Sequence, residues 1–208
     1  MTARLVVLAS GGGSNLQAIV DGCAAGRLDA TVAALVTNVP DAGCVARAQR
    51  AGIPVVTLPV TPGEARRGYD ARLADAVAPF APEWVVLAGW MRLLSAVFLD
   101  RHPGRVVNLH PALPGQLPGL HAIERAHAEA RTGGRTATGV MVHLVPDEGV
   151  DDGPVLATAT VPITPGDSLA DLEARVHRAE HELLVTTLAL LTAPAAPTPI
   201  RTPTPQES

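Results

Sequence analysis

The stretch "RLVVLASGGGSNLQAIVDGCAAGRL", residues 4–28, reads as an apolar strand, a turn of three glycines and a helix with Gly26 near its end. The same alternation continues downstream. Strands are expected over 30–38, 53–59, 83–90 and 104–110, with helices over 41–52, 64–80 and 92–102 between them. These strands are apolar on both faces, the pattern of a parallel sheet covered by helices on each side. The fold class is therefore α/β, Rossmann-like. After a helix over 119–133, "TATGVMVHLV" (136–145) and "GPVLATATVPI" (153–163) follow one another as strands joined by "PDEGVDD", which predicts antiparallel pairing at that end of a mostly parallel sheet. A long amphipathic helix over 168–192, capped by Asp167 or Ser168, ends the domain, assigned to residues 1–192, and a Pro/Thr-rich tail occupies 193–208.

Composition narrows the function. The 208 residues are 47% hydrophobic, yet no apolar run approaches the ~20 residues needed to span a bilayer. No targeting signal is evident, and the chain is expected to be cytoplasmic. A formal charge of −4 and 2% aromatic residues argue against a nucleic-acid platform and leave small molecules as the expected partners. Cys23 and Cys44 form neither a disulfide framework nor a thiolate metal cluster. All 16 basic residues are arginine, which excludes a lysine-dependent phosphate loop and Schiff-base chemistry. Any phosphate must be held by backbone amides, helix termini or arginine.

Two stretches carry chemistry. The glycines of "SGGGSN" let backbone amides approach an anion at a helix N-terminus, although the dinucleotide fingerprint is not met; read alone, the turn fits a phosphate cradle and a tight turn capped by Ser14 equally. In "VVNLHPALPGQLPGLH" (106–121), strand periodicity puts Asn108 and His110 on one face at the carboxyl end of a strand, where α/β sheets bind ligands. A strand-end histidine can serve structure alone. An amide donor two residues away adds what carbonyl addition needs: stabilisation of an oxyanion and a proton shuttle. A carboxylate among Asp147, Glu148, Asp151 and Asp152 is expected to raise the pKa of His110; spacing does not choose among them.

Together, "SGGGSNLQAI", "VVLAGWMRLLS", "NLHPALPGQLPGLHA", "TGVMVHLVPDEGVDDGPV" and "PGDSLADLEARVHRAEHELL" resemble the phosphoribosylglycinamide formyltransferase family, in its order and over nearly the whole chain before the tail. The resemblance implies the Rossmann-like formyltransferase fold, with 10-formyltetrahydrofolate as formyl donor and no metal. It implies Asn108, His110 and Asp151 as catalytic residues, and Gly13, Ser14, Asn15 and Glu180 as the phosphate and ribose contacts of the acceptor. It implies Arg66, Met91, Arg92, Leu93 and Leu94, with Asn108, on the folate side. His143 aligns with a second family histidine but also fits a core position. The chain departs from the family where "PALPGQLPG" replaces a loop with a second leucine, where the carboxylate loop is longer, leaving Asp151 and Asp152 both open, and where Thr138 stands for a frequent histidine. The expected reaction is formyl transfer to the amine of 5'-phosphoribosylglycinamide in purine synthesis, by a monomer or homodimer.

Alternative acceptors are an amino sugar nucleotide, or water in a formyltetrahydrofolate hydrolase. Hydrolase relatives carry an N-terminal regulatory domain for which the early glycine loop is expected to leave no room, and relatives acting on methionyl-tRNA append a C-terminal nucleic-acid-binding barrel. A metal hydrolase using His110, His143 and a carboxylate is a rival of another class, as is a non-catalytic phosphate-binding module.

Overall fold

The computed structural model of the chain describes residues 2–193, so all but the first residue of the expected tail lies outside it. Strands β1 (Ala3–Leu8), β2 (Ala30–Thr37), β3 (Val55–Thr57), β4 (Trp84–Leu87), β5 (Val106–His110), β6 (Ala137–Leu144) and β7 (Val155–Pro162) form one sheet in the order β3-β2-β1-β4-β5-β6-β7. The first five strands are parallel; β6 runs antiparallel to β5, and β7 to β6. The sheet is mixed at the end where two successive strand patterns predict it. The chain winds outward from β1 to β3 and then returns to β4 on the other side of β1. Sheets of this kind bind ligands at such a reversal, outside the carboxyl ends of the strands.

Helices α1 (Ser14–Ala24), α2 (Gly43–Arg50), α3 (Arg66–Val77), α4 (Ala96–Leu99), α5 (Ala122–Arg131) and α6 (Leu169–Thr192) cover both faces. Strand alternation sorts the core. Leu5, Val7, Val86, Val107, Leu109, Val140 and Val142 pack with α1, α5 and α6, whereas Val6, Leu8, Val85, Leu87 and Val106 pack with α3 and α4. Because each face meets helices, both strand faces must be apolar, hence the unbroken aliphatic runs. Ser168, rather than Asp167, caps α6 through a capping box with Asp171; Asp167 instead accepts from the Thr164 amide at 2.7 Å and pairs with Arg175 at 2.8 Å. Gly22 lets α1 approach α6 closely, since a Cβ there would lie 2.9 Å from Val185 Cγ1.

Two expectations need correction. The strand expected over 53–59 is only Val55–Thr57, because Pro54 and Pro59 bracket it and proline offers no amide to a ladder. The helix expected over 92–102 shrinks to Ala96–Leu99, and residues 91–95 form a loop instead. Side chains from elsewhere hold that loop's amides. Met91 donates to Ser10 Oγ at 3.0 Å, and Ser95 donates to Asp70 Oδ2 at 2.6 Å. Asp70 is fully buried on the apolar stripe that Leu73, Ala74 and Val77 continue along α3.

A buried carboxylate aimed at one amide makes a strong test. Asp70→Ala leaves the Ser95 amide without its acceptor and is expected to cost about 1–3 kcal/mol in urea unfolding, while Asp70→Asn, which keeps an acceptor oxygen, loses less. Equal midpoints for the alanine variant and the unsubstituted chain would show that the contact carries no weight.

Candidate active site

Because Val107 and Leu109 turn toward α1, α5 and α6, Asn108 and His110 necessarily face the α3–α4 side. The register of β6 sets His143 opposite Asn108 and Met141 opposite His110, so His143 shares that face. Asp151 arrives from the loop between β6 and β7. Its Oδ1 accepts from Asn108 Nδ2 at 3.0 Å, and its Oδ2 lies 3.3 Å from His110 Nδ1. The Gly119 amide donates to Oδ2 at 2.8 Å, and His110 Nε2 stands 3.0 Å from the Leu117 carbonyl. Asp152 is exposed and lies outside this cluster.

His143 belongs to the cluster as well as to the core. Its Nδ1 sits 2.8 Å from the Leu144 carbonyl, which assigns the proton to Nδ1 and leaves Nε2 to accept from Asn108 Nδ2 at 3.1 Å. Both hydrogens of the Asn108 amide are thus held inside the site. His110 and His143 are 4% and 2% exposed, so these contacts act where water screens them little.

The proline-rich loop bends to bring its backbone to the histidine. Leu117 takes a left-handed backbone at φ 46°, a conformation that costs a non-glycine residue roughly 1–2 kcal/mol, and that bend aims its carbonyl at His110. Asp151 is left-handed too, at φ 54°, which an aspartate tolerates better. A cavity of about 330 Å³ opens between the two loops, bounded by Pro114, Gln116, Pro118, Val150 and Asp151.

Burial pushes the pKa of His110 down; the Asp151 charge and the Leu117 carbonyl pull it back up, and the net direction is downward from the ordinary histidine value. This corrects the expected rise: the carboxylate acts in the anticipated sense, but desolvation outweighs it. Burial pushes Asp151 up, yet the donors around it, the Gly119 amide among them, bring its carboxyl below the usual aspartate value. The packing therefore favours the ionised form of Asp151 and the neutral form of His110.

The glycine turn follows the carboxyl end of β1. Gly13 is the N-cap of α1, left-handed at φ 75°, and a Cβ on it would fall 2.6 Å from Cys44 Cα. No side chain caps this helix, so Ser14 is its first residue and not its cap, as the plain-turn reading requires. The first-turn amides, those of Ser14 and Asn15 among them, have no intrahelical acceptor, the arrangement with which helix N-termini bind anions. Neighbours hold the turn's carbonyls: the Cys44 amide donates to Gly11 at 3.0 Å and Arg47 Nε to Gly12 at 2.8 Å. Asn15 Nδ2 reaches Glu180 Oε2 at 3.4 Å, and His177 Nδ1 lies 2.7 Å from the same oxygen. The hydrogen bond to Glu180 raises the pKa of His177. Gly13, Ser14, Asn15 and Glu180 thus come together.

The residues implied for the folate side divide. Met91 and Leu93 are exposed, at 58% and 45%. Arg92 stacks its guanidinium 4.4 Å above the Tyr69 ring, while Leu94 is buried in the core between the sheet and α3. Arg66 is ion-paired with Glu148. Among the described residues, no group of three or more His, Cys, Asp or Glu is arranged to hold a metal, and no helix is long and apolar enough to cross a membrane.

Comparison with known proteins fits this geometry. The family model described as formyl transferase matches residues 3–188. The chain belongs to the formyl transferase family. Similar formyl transferases include the phosphoribosylglycinamide formyltransferase of Escherichia coli (strain K12), 44% identical over 86% of this chain and 82% of that one. The enzyme of the same name from Schizosaccharomyces pombe is 44% identical over 89% of this chain and 95% of its own. Among solved structures, glycinamide ribonucleotide transformylase 1 from Geobacillus kaustophilus superposes with a TM-score of 0.85 at 39% identity, covering 93% of this chain and all of that one. The fold of this formyl transferase is the Rossmann-like one of those neighbours.

Sequence reasoning misses the backbone of the site. The Leu117 carbonyl and Gly119 amide leave no residue-type signal, because any residue could supply them. Asp70 had one: a lone carboxylate at helical spacing within an apolar stripe.

Proposed function

We propose that this formyl transferase moves the formyl group of 10-formyltetrahydrofolate onto the amine of 5'-phosphoribosylglycinamide; the acceptor is supported by the relatives named phosphoribosylglycinamide formyltransferase. The observation that carries the reading is the buried contact of Asn108, His110 and Asp151. In the proposed reaction the acceptor's neutral amine attacks the formyl carbon. Asn108 turns one amide hydrogen from its internal partner to the new oxyanion. His110 swings Nε2 from the Leu117 carbonyl toward the substrate, takes there the proton that the amine nitrogen sheds, and becomes an imidazolium held by Asp151 at Nδ1 and facing the oxyanion with Nε2. On collapse the bond between the formyl carbon and the folate nitrogen breaks, and the proton passes through a water ordered by Asp151 to that departing nitrogen. No step needs a metal. The amides of Gly13, Ser14 and Asn15 hold the acceptor's phosphate and Glu180 its ribose, while Arg66 and residues 91–94 flank the donor.

The test offers the donor with phosphoribosylglycinamide, with an amino sugar nucleotide and with no acceptor, and follows release of tetrahydrofolate. Release that requires phosphoribosylglycinamide is expected; equal release without any amine would make the protein a hydrolase and sink the proposal.

A pH profile tests the role of His110. A base that must start neutral loses activity as pH falls through its pKa, so the acid limb of kcat/KM is expected below about 6.5, the ordinary histidine value. Asp151 pulls that pKa upward, so Asp151→Asn is expected to move the limb to still lower pH while reducing turnover. A limb that moves upward in this variant would contradict the assigned contact.

A further inference from the structure

The carboxylate of Glu148 occupies a junction that catalysis as described leaves unused. One of its oxygens accepts from the Ala96 amide at 3.0 Å, and the other pairs with Arg66. The preceding amide, Ser95, donates to Asp70 at 2.6 Å. Arg66 and Asp70 are one helical turn apart on α3, so two acids grip the adjacent amides 95 and 96, and α3 supplies one of them and anchors the other. These amides end the loop that carries Met91, Arg92, Leu93 and Leu94. Glu148 itself lies only three residues before Asp151 in the loop between β6 and β7.

We infer that Glu148 is a positioning residue that ties the loop bearing Asp151 to the wall formed by residues 91–96, so that the donor side and the catalytic acid are held as one unit. The inference rests on the proposed donor side and on the role given to Asp151. Glu148 is well suited to this: its side chain is 35% exposed, so it is not a core residue, and its partners come from two other segments, α3 and the start of α4. The Asp151 loop is otherwise fastened at its two ends, where the Val145 amide donates to the Val106 carbonyl and the Leu144 amide to the Pro154 carbonyl, each at 2.9 Å. Between those ends, beyond the contacts of Asp151 and Glu148, Asp147 accepts from the Gly149 amide within the loop at 2.9 Å.

The test compares Glu148→Ala with Glu148→Gln in the full chain, using hydrogen exchange and steady-state kinetics. Glutamine keeps an oxygen for the Ala96 amide but gives up the charge that pairs with Arg66. In the alanine variant without ligands, faster exchange is expected at the Ala96 amide and across residues 147–152, with β1, β4 and β5 unchanged. Misplacing a catalytic group from a distance costs up to ~10²-fold, so kcat is expected to fall ~10- to 100-fold and donor KM to rise, with the affinity for phosphoribosylglycinamide measured alone unaltered. Glutamine is expected to restore protection at Ala96 and most of kcat while leaving donor KM raised. Unchanged exchange at 96 and 147–152 in the alanine variant would overturn the inference, whatever the enzyme's acceptor. So would loosened exchange with kcat and donor KM both unaltered, in a protein that does transfer formyl to phosphoribosylglycinamide. Absence of any such transfer by the unsubstituted chain is a separate result that counts against the proposed acceptor and leaves the exchange comparison to decide.

Discussion

Asn108→Ala and His110→Ala are each expected to reduce turnover ~10²–10³-fold while the chain still folds, since removing a single oxyanion donor has that effect where water is excluded. The two side chains meet on one carboxylate, at 3.0 Å from Asp151 Oδ1 and 3.3 Å from Oδ2. Groups that act as a unit are not additive, so the double variant should lose little more than the worse single one. His110→Ala removes a ring whose burial holds its pKa down, and the acid limb of the pH profile should vanish with it. Far-ultraviolet circular dichroism would verify folding, and single-turnover formyl transfer would give the rate. Variants that fold and keep most of their turnover would end the case for this pair.

Gly13→Ala is expected to act at the glycine turn and nearly as strongly. The added methyl would sit 2.6 Å from Cys44 Cα, a backbone atom that cannot rotate away, and the left-handed φ of 75° adds roughly 1–2 kcal/mol of its own. Relief requires the turn to lift off α2. That breaks the contacts of Cys44 and Arg47 with the carbonyls of Gly11 and Gly12 and re-aims the first-turn amides of α1. The expected outcome is an acceptor KM raised at least ~10-fold, with donor KM nearly unchanged, because the donor side is built on other segments. Gly12→Ala is the control, since a Cβ there meets nothing within 4 Å. Equal effects from the two variants would show that the turn has no special geometry.

The contrast between what the sequence reveals and what it hides follows the physics of each element. β1, β2, β4 and β5 announce themselves because burial on both faces forces unbroken aliphatic runs, and the antiparallel end because two such runs follow without a helix. Asn108 and His110 stand out because polar residues interrupt one of these runs at its carboxyl end. The loop over 91–95 misleads because its composition suits a helix; what unwinds it are the Ser10 hydroxyl and the Asp70 carboxylate, which are distant in sequence. The protonation of His110 misleads for a similar reason. A neighbouring charge is visible in a motif, whereas the depth of burial is a property of the packed fold. Spacing does not separate the adjacent Asp151 and Asp152; in the fold Asp151, with its left-handed backbone, meets His110, while Asp152 is exposed.

The mixed end of the sheet shapes how the molecule comes into being. Asn108 and Asp151 are separated by 43 positions, and they meet only once the antiparallel pair β6–β7 has docked beside β5. Contacts so distant along the chain must overcome a loop-closure cost before they return anything. A nascent chain ending before β6 lacks Asp151, so its contact with Asn108 forms only after β6 and the loop that follows have been made.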